Sequence, residues 1–300
     1  MSGLKEIRRR ISSVKNTKQI TRAMKLVSAA KLRKAQEAAV GGRDFATRLE
    51  GVLEQVTQNL PKNYSNPSLE EPEKKEVVRV VFIGGERGLC GAFNTNLLKA
   101  VNAYTSEQKL EYVPIGRRAV AFAKAREWNT VSEYEGLPED AGKWPIAEII
   151  EQQVNDFLEG KVQEVVLFYT QFKSAMTQVV KTEKLLPFKL DQKDVAVKQE
   201  TAEQAAGNKD EEDDREFKFD SPSEVIVFEM IPLLINTKLT QAALESKASE
   251  HASRMTAMDS ATRNADDLID RLKLYYNRAR QSAITTELID IVGGAEAAQG

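Results

Sequence analysis

No proline interrupts residues 1–60, and neither proline nor glycine occurs between Leu233 and Val292. Stretches of that length without a helix breaker constrain this chain more than any motif in it, because each can run as a single helix. In the first, Ile7, Ile11 and Val14 step by four and three, and Met24 and Val27 continue the stripe on a slightly drifted face. After Gly41-Gly42 a second stripe runs Phe45, Leu49, Val52, Val56 and Leu60. The glycine pair is the weak point of this helix and Pro61 its stop. In the last stretch Ala261, Ala265, Leu268, Leu272, Tyr275 and Ala279 keep a four-three spacing, with the small residues Ala242, Ser246, Ser249 and Ser253 upstream. At 1.5 Å per residue such a helix reaches on the order of 80–90 Å, far beyond a single-domain core. Helices like these need a helical partner. The two ends are the obvious pair, antiparallel if the middle returns the chain to its starting end, with small residues letting the backbones approach.

The middle reads as a compact α/β unit. Val77–Ile83 is a largely buried strand, followed by a glycine-rich turn and a helix from about Asn94. Glu111–Ile115 is a second strand with Arg117–Glu127 helical after it. Thr130–Tyr134 is expected as a third strand, Pro145–Leu158 as a helix, Glu164–Phe172 as the clearest strand, and Met176–Leu186 as its hairpin partner. Strands alternating with helices point to a mainly parallel sheet. The division expected is 1–60 N-terminal helix, 61–232 central α/β domain and 233–300 C-terminal helix, with a mobile acidic loop at 191–220.

Charge is distributed unevenly. The net charge of −2 hides eleven Lys or Arg against one acid, Glu6, in residues 1–36, and eleven acids against five bases in 191–220. The two regions must meet different partners, or different parts of one partner. Cys90 is the only cysteine, which excludes an intrachain disulfide and suits a reducing compartment. No stretch approaches the roughly 18 apolar residues of a membrane span, and no signal or transit peptide is expected.

Residue patterns that would support catalysis are scarce. The turn Gly84-Gly85-Glu86-Arg87-Gly88-Leu89-Cys90-Gly91 is neither a dinucleotide fingerprint nor a P-loop. Gly136…Gly142-Lys143-Trp144 misses the P-loop spacing by one residue and lacks the magnesium-binding hydroxyl. Glycines that let a strand turn tightly into a helix explain both. His251, the only histidine, lies among Ala, Ser and Glu in the long helix and reads as a packed or solvated residue. Cys90 has no base nearby and reads as a small buried thiol. Asp210–Asp214 lacks the alternation of a calcium loop. No catalytic residue, cofactor or metal is expected. Nucleic acid is a weaker partner for the basic N-terminus than a protein, because no aromatic precedes Phe45 to stack on bases. The residues leave two classes open: a coiled-coil interaction protein, or a nucleotide-binding α/β protein with helical arms.

Several strings bear on that choice. They are Met24–Leu32 (MKLVSAAKL), Arg87–Asn94 (RGLCGAFN), Ala248–Met258 (ASEHASRMTAM), Tyr276–Gln281 (YNRARQ) and Ile284–Val292 (ITTELIDIV). On these the chain resembles the gamma subunits of bacterial F-type ATP synthases, over essentially its whole length. The resemblance implies a central Rossmann-like α/β domain with the two terminal helices as an antiparallel coiled coil. It implies a non-catalytic rotor, the central stalk, which couples ion-driven rotation of a c ring to ATP synthesis in the beta subunits. The implied partners are three alpha and three beta subunits, the epsilon subunit and the c ring, at the cytoplasmic face of the bacterial inner membrane. Matched residue by residue, Arg280, Gln281, Thr285 and Glu287 contact the catalytic ring, and Met24 and Lys25 take the opposing position on the N-terminal helix. Phe217 and Phe219 fall on the c-ring and epsilon side. Glu86 stands where the family usually has Asp, 197–215 aligns poorly, and the single cysteine excludes the redox switch of photosynthetic relatives.

Overall fold

The structure, a computed structural model, describes residues 2–58, 60–61, 64, 66–72, 76–188 and 222–297. The acidic stretch 191–220, with Phe217 and Phe219, lies outside the described residues.

Helix α1 (Ser2–Gln58) and helix α5 (Ser223–Ala297) dominate the molecule, at 57 and 75 residues. From Leu4 to Val56, every residue reached by alternating steps of three and four is buried or half-buried. The same holds on α5 from Gln241 to Ala279. An unbroken 3.5-residue repeat is what winds two helices into a left-handed coiled coil. Cross-seam contacts fix the direction: Arg8 with Tyr276, Lys18 with Asp266, Thr21 with Thr262 and Lys25 with Asp259. One number falls as the other rises, so the pair is antiparallel and in register.

The seam differs in detail from the stripes read along the sequence. Ile269 and Tyr276 occupy it, whereas Leu268 and Tyr275 are 45 % and 62 % exposed. On α1, Val27 and Phe45 point outward. Adjacent residues sit 100° apart on a helix, and only the partner decides which of two neighbouring apolar side chains turns inward. Gly41-Gly42 does not break α1; Gly42 takes a seam position against Gln241 and Leu244.

Helix α5 begins ten residues before Leu233 and carries Pro232 inside it. Proline there removes the hydrogen bond to the Phe228 carbonyl. Ile231, Leu234 and Ile235 pack into the core and hold the segment helical, while the Phe228 side chain is exposed. This helix contains an 18-residue window of mean hydropathy 1.2, apolar enough by length and composition to cross a membrane, contrary to the sequence expectation. Its hydropathy has a packing reason, since Val227, Ile231, Leu234, Ile235 and Leu239 are buried in the α/β core.

Between the helices lies a four-stranded sheet in the order β2-β1-β3-β4. Strands β1 (Val77–Ile83), β2 (Lys109–Ile115) and β3 (Glu164–Phe172) are parallel, and β4 (Gln178–Leu186) pairs antiparallel with β3. Alternation along β1 sends Val78, Val80 and Phe82 to one face, against α2 (Phe93–Ala103) and α3 (Arg117–Ala125). Val81 and Ile83 face α4 (Ile146–Leu158), the end of α1 and the start of α5. The expected strand at Thr130–Tyr134 is reduced to two isolated bridges, Tyr112 to Thr130 and Ile115 to Tyr134. Pro114 explains this. The Tyr112 N–H donates to Asn129 and the Gly116 N–H to Tyr134, but the residue between them has no N–H to give, so the ladder opens in the middle.

Candidate functional site: the junction of helix pair and domain

The glycine-rich turn after β1 docks on α5. Gly84 N–H donates to the Ile115 carbonyl at 2.8 Å, Gly85 N–H to Asn94 Oδ1 at 2.9 Å, and the Gly85 carbonyl accepts from Arg118 N–H at 3.0 Å. These groups are committed to the protein rather than held open for a phosphate. Two glycines are sterically required. A Cβ on Gly116, at φ 98°, would lie 2.4 Å from the Gly84 carbonyl oxygen, and one on Gly91, at φ 55°, would meet Ser253 Oγ at 3.2 Å. Cys90 is buried in this turn with Asn94 Nδ2 3.0 Å from its sulfur, and burial pushes its thiol pKa up, away from a nucleophilic thiolate.

The small residues upstream on α5 serve the same junction. Ser246 Oγ accepts from Thr170 N–H, Ser249 Oγ donates to the Thr170 carbonyl at 3.0 Å, and Ser253 Oγ donates to the Cys90 carbonyl at 2.7 Å. They let α5 lie close on β3 and the glycine turn, not on α1 as the seam reading expected. Ala248 and Ala252 take the α1 side, against Leu32.

Two turns of α5 carry four buried ionisable side chains, Lys247, Glu250, His251 and Arg254, at spacings of three, one and three. Glu250 accepts from Lys247 at 3.0 Å and from Arg254 at 2.6 Å. Burial would raise its pKa, but the two cations outweigh that and hold the carboxyl below its usual range. Arg254 also donates to the Gly88 carbonyl at 3.3 Å and lies 3.5 Å from His251 Nδ1. His251 Nε2 stands 3.1 Å from Glu139 in the loop ahead of α4, and Lys31 of α1 reaches the same carboxylate at 3.2 Å. Burial, opposed by Glu250 and then reinforced by Lys247, pushes His251 down to about 4, so the ring is neutral near pH 7. In the neutral ring Nδ1 faces the Arg254 donor, which leaves the proton on Nε2, the nitrogen 3.1 Å from Glu139.

A second buried cluster went unread in the sequence. Arg79, inside the apolar run of β1, is 3 % exposed and reaches Glu111 at 2.7 Å, Asp156 at 2.5 Å and Gln153 at 3.2 Å. Burial raises the Asp156 pKa, but Arg79 overrides it, and the carboxyl sits below its ordinary value. The signal was available as an arginine at the centre of a buried strand, which demands anionic partners on neighbouring elements.

The residues expected to touch a partner fall in two places. Arg280, Gln281, Thr285 and Glu287 are exposed near the end of α5, where the register places them level with the start of α1 or past it. Lys25 crosses the seam to Asp259, and Met24 beside it is half-buried. From Asp259 to Arg280 is about 30 Å along the helix, so the structure does not bring the two groups together. Of the basic N-terminal residues, Lys18, Lys25 and Lys31 are spent on contacts within the chain. Lys5, Arg9, Lys15 and Arg22 remain exposed. Among the described residues no cluster of His, Cys, Asp and Glu could hold a metal ion.

A family model described as ATP synthase matches residues 3–298. The ATP synthase gamma chain of Cytophaga hutchinsonii is 40 % identical over 305 residues, covering 99 % of each chain, and that of Chlorobium phaeobacteroides is 40 % identical over 308 residues, covering 100 % of each. The chain belongs to the ATP synthase gamma chain family. Its fold agrees with solved structures. The rotor of the Euglena gracilis mitochondrial ATP synthase superposes with a TM-score of 0.64 at 20 % identity, over 94 % of this chain and 99 % of the other. The Tetrahymena thermophila central stalk and c-ring structure gives 0.56 at 22 % identity, over 81 % and 99 %. In this gamma chain the Rossmann-like domain therefore uses its glycine turn to seat a helix. The crevice that open α/β sheets offer at the strand ends is met here by α5 at Ser253 and Arg254.

Proposed function

We infer that this chain is the central-stalk rotor subunit of a bacterial F-type ATP synthase, coupling ion-driven rotation of a c ring to sequential conformational change and ATP synthesis in the beta subunits. The observation that carries this is the end-to-end match to gamma chains, joined to a helix pair whose longer member overhangs its partner. Catalysis belongs to the beta subunits, and this chain contributes shape and stiffness. Alpha, beta, epsilon and c subunits are its partners, in a membrane-associated complex that we place on the cytoplasmic face of the bacterial inner membrane.

The proposed division is a shaft of residues 1–60 and 233–300 and a knob of 61–232. Arg280, Gln281, Thr285 and Glu287 contact the catalytic ring, supported by their exposure on the overhanging end of α5. Met24 and Lys25 contact it lower down, although Lys25 must then share its charge with Asp259. The exposed Lys5, Arg9, Lys15 and Arg22 suit acidic loops of the beta subunits, since exposed ion pairs are worth only about 0–1 kcal/mol each and can break at every step. Phe217 and Phe219 are assigned to the c-ring and epsilon side on the resemblance alone. Affinity purification of the tagged chain from its host membranes tests the reading. It should bring down alpha and beta subunits in threefold excess, and a chain recovered without them would refute it.

A further inference from the structure

Torque must pass between the α/β domain and the helix pair; the serine bonds to Thr170 and Cys90 hold α5 alone, and at two levels both helices meet the domain. The first is apolar: Leu53 and Val56 of α1 and Val227–Ala243 of α5 pack into the core beneath the sheet. Such packing resists separation, but it is non-directional and resists sliding weakly. The second lies farther up the helices, where Lys31 of α1 meets Glu139 and Lys34 meets Asp140, about 30 Å along α1 from Leu53 at 1.5 Å per residue. Two attachment points that far apart stop the shaft from swivelling in its socket; one does not.

At the upper point a chain of polar contacts runs across the molecule. The Gly88 carbonyl accepts from Arg254, Arg254 lies 3.5 Å from His251 Nδ1, His251 Nε2 stands 3.1 Å from Glu139, and Glu139 accepts from Lys31. It starts on the turn after β1, passes through α5 and the loop ahead of α4, and ends on α1. Lys247 and Glu250 flank the ring. Lys247 also reaches Glu139, at 4.0 Å, while bonding Glu250 at 3.0 Å. The imidazole, 3.1 Å from the carboxylate, is the nearer α5 group and lies between the Arg254 cation and the Glu139 anion. We propose that the Glu139–His251 contact is the torque joint of this molecule, with His251 the positioning residue that fastens both shaft helices to the domain. The proposal rests on the rotor reading.

The test uses the assembled synthase in inverted membrane vesicles and measures coupling ions, H+ or Na+, pumped per ATP hydrolysed against an imposed gradient. His251→Leu removes both ring contacts and should lower that ratio by about threefold or more, within the range over which coupling residues act, while hydrolysis by the detached catalytic part continues. His251→Gln, which keeps a side-chain N–H donor, should restore most of it. Lys31→Met cuts only the α1 arm, at a half-exposed site that tolerates the change, and should lower the ratio by a smaller factor. A core variant on the other face of the sheet, Leu97→Ala, controls for lost stability and should leave the ratio unchanged in complexes that assemble. An unaltered ratio in both His251→Leu and Lys31→Met would overturn the proposal, as would an equal loss in Leu97→Ala. Wild-type vesicles that hydrolyse ATP without pumping would instead remove the rotor reading, and the joint with it.

Discussion

His251 shows how far an environment can move one side chain. An unperturbed imidazole titrates near 6.5, whereas this one is driven down to about 4 by burial first, with Lys247 and Arg254 adding to it against Glu250 and Glu139. Below pH 6.5 the unfolded chain binds a proton that the folded chain refuses, so stability falls as pH drops from 6.5 toward 4. Between pH 6.5 and 5 the loss should be about 2 kcal/mol, at 1.36 kcal/mol per unit. Depressed carboxylates such as Glu250 and Asp156 act only below the usual carboxylate range, which leaves this window to the histidine. Urea midpoints of the full chain and of His251→Gln at the two pH values check this, and the variant should show the flatter profile. Arg79 makes the opposite point, a charge kept charged. Arg79→Ala strands Glu111 and Asp156 beside an apolar core and should cost about 3–5 kcal/mol, with Arg79→Met costing less because it refills the volume. Denaturation midpoints of the two variants give the comparison.

At the scale of elements, the helices and most strands were legible because their signals are local. β1 and β3 fall where their apolar runs fall, and α1 and α5 follow from the absence of breakers. The misread segments share a cause: a neighbour decided them. Thr130–Tyr134 has a strand's composition and loses its ladder to Pro114 on the adjacent strand. Pro232 reads as a boundary and is overridden by Ile231, Leu234 and Ile235 seated in the core. Glycines divide the same way. Gly41 is helical, and a Cβ added there would meet nothing within 4 Å, so Gly41→Ala should stabilise by about 1 kcal/mol through helix propensity and a less flexible unfolded chain. Gly91→Ala must adopt a positive φ and press on Ser253 Oγ, and should destabilise by about 1–2 kcal/mol. Thermal melts should therefore move in opposite directions for two substitutions that look identical on paper.

For the whole molecule, the overhang of α5 separates stability from function. Ile284, Leu288, Ile289 and Ile291 are at least half exposed, and the register places them past Ser2, the first described residue of α1. Removing 283–300 should leave the melting midpoint of the chain within about 2 °C, because surface changes away from packing cost little. The same truncation should weaken association with the catalytic ring, measured by the yield of alpha and beta subunits on the tagged chain. The partner-facing residues Arg280, Gln281, Thr285 and Glu287 were reachable only through family motifs, since an exposed polar residue on a helix looks the same whether or not something docks there. The junction was missed for another reason. Its serines read as a coiled-coil seam and its histidine as an ordinary helix residue, and nothing along the chain says that Glu139 and Lys31 meet His251. By itself the sequence determined that two long helices exist, that they carry a 3.5-residue repeat, and that parallel strands lie between them, because periodicity and breaker residues act over a few residues. Tertiary structure alone decided which face of α5 belongs to α1 and which to the domain. A helix as apolar and small-residued as α5 can bury either side, and the choice is made by the shapes and charges of what packs against it.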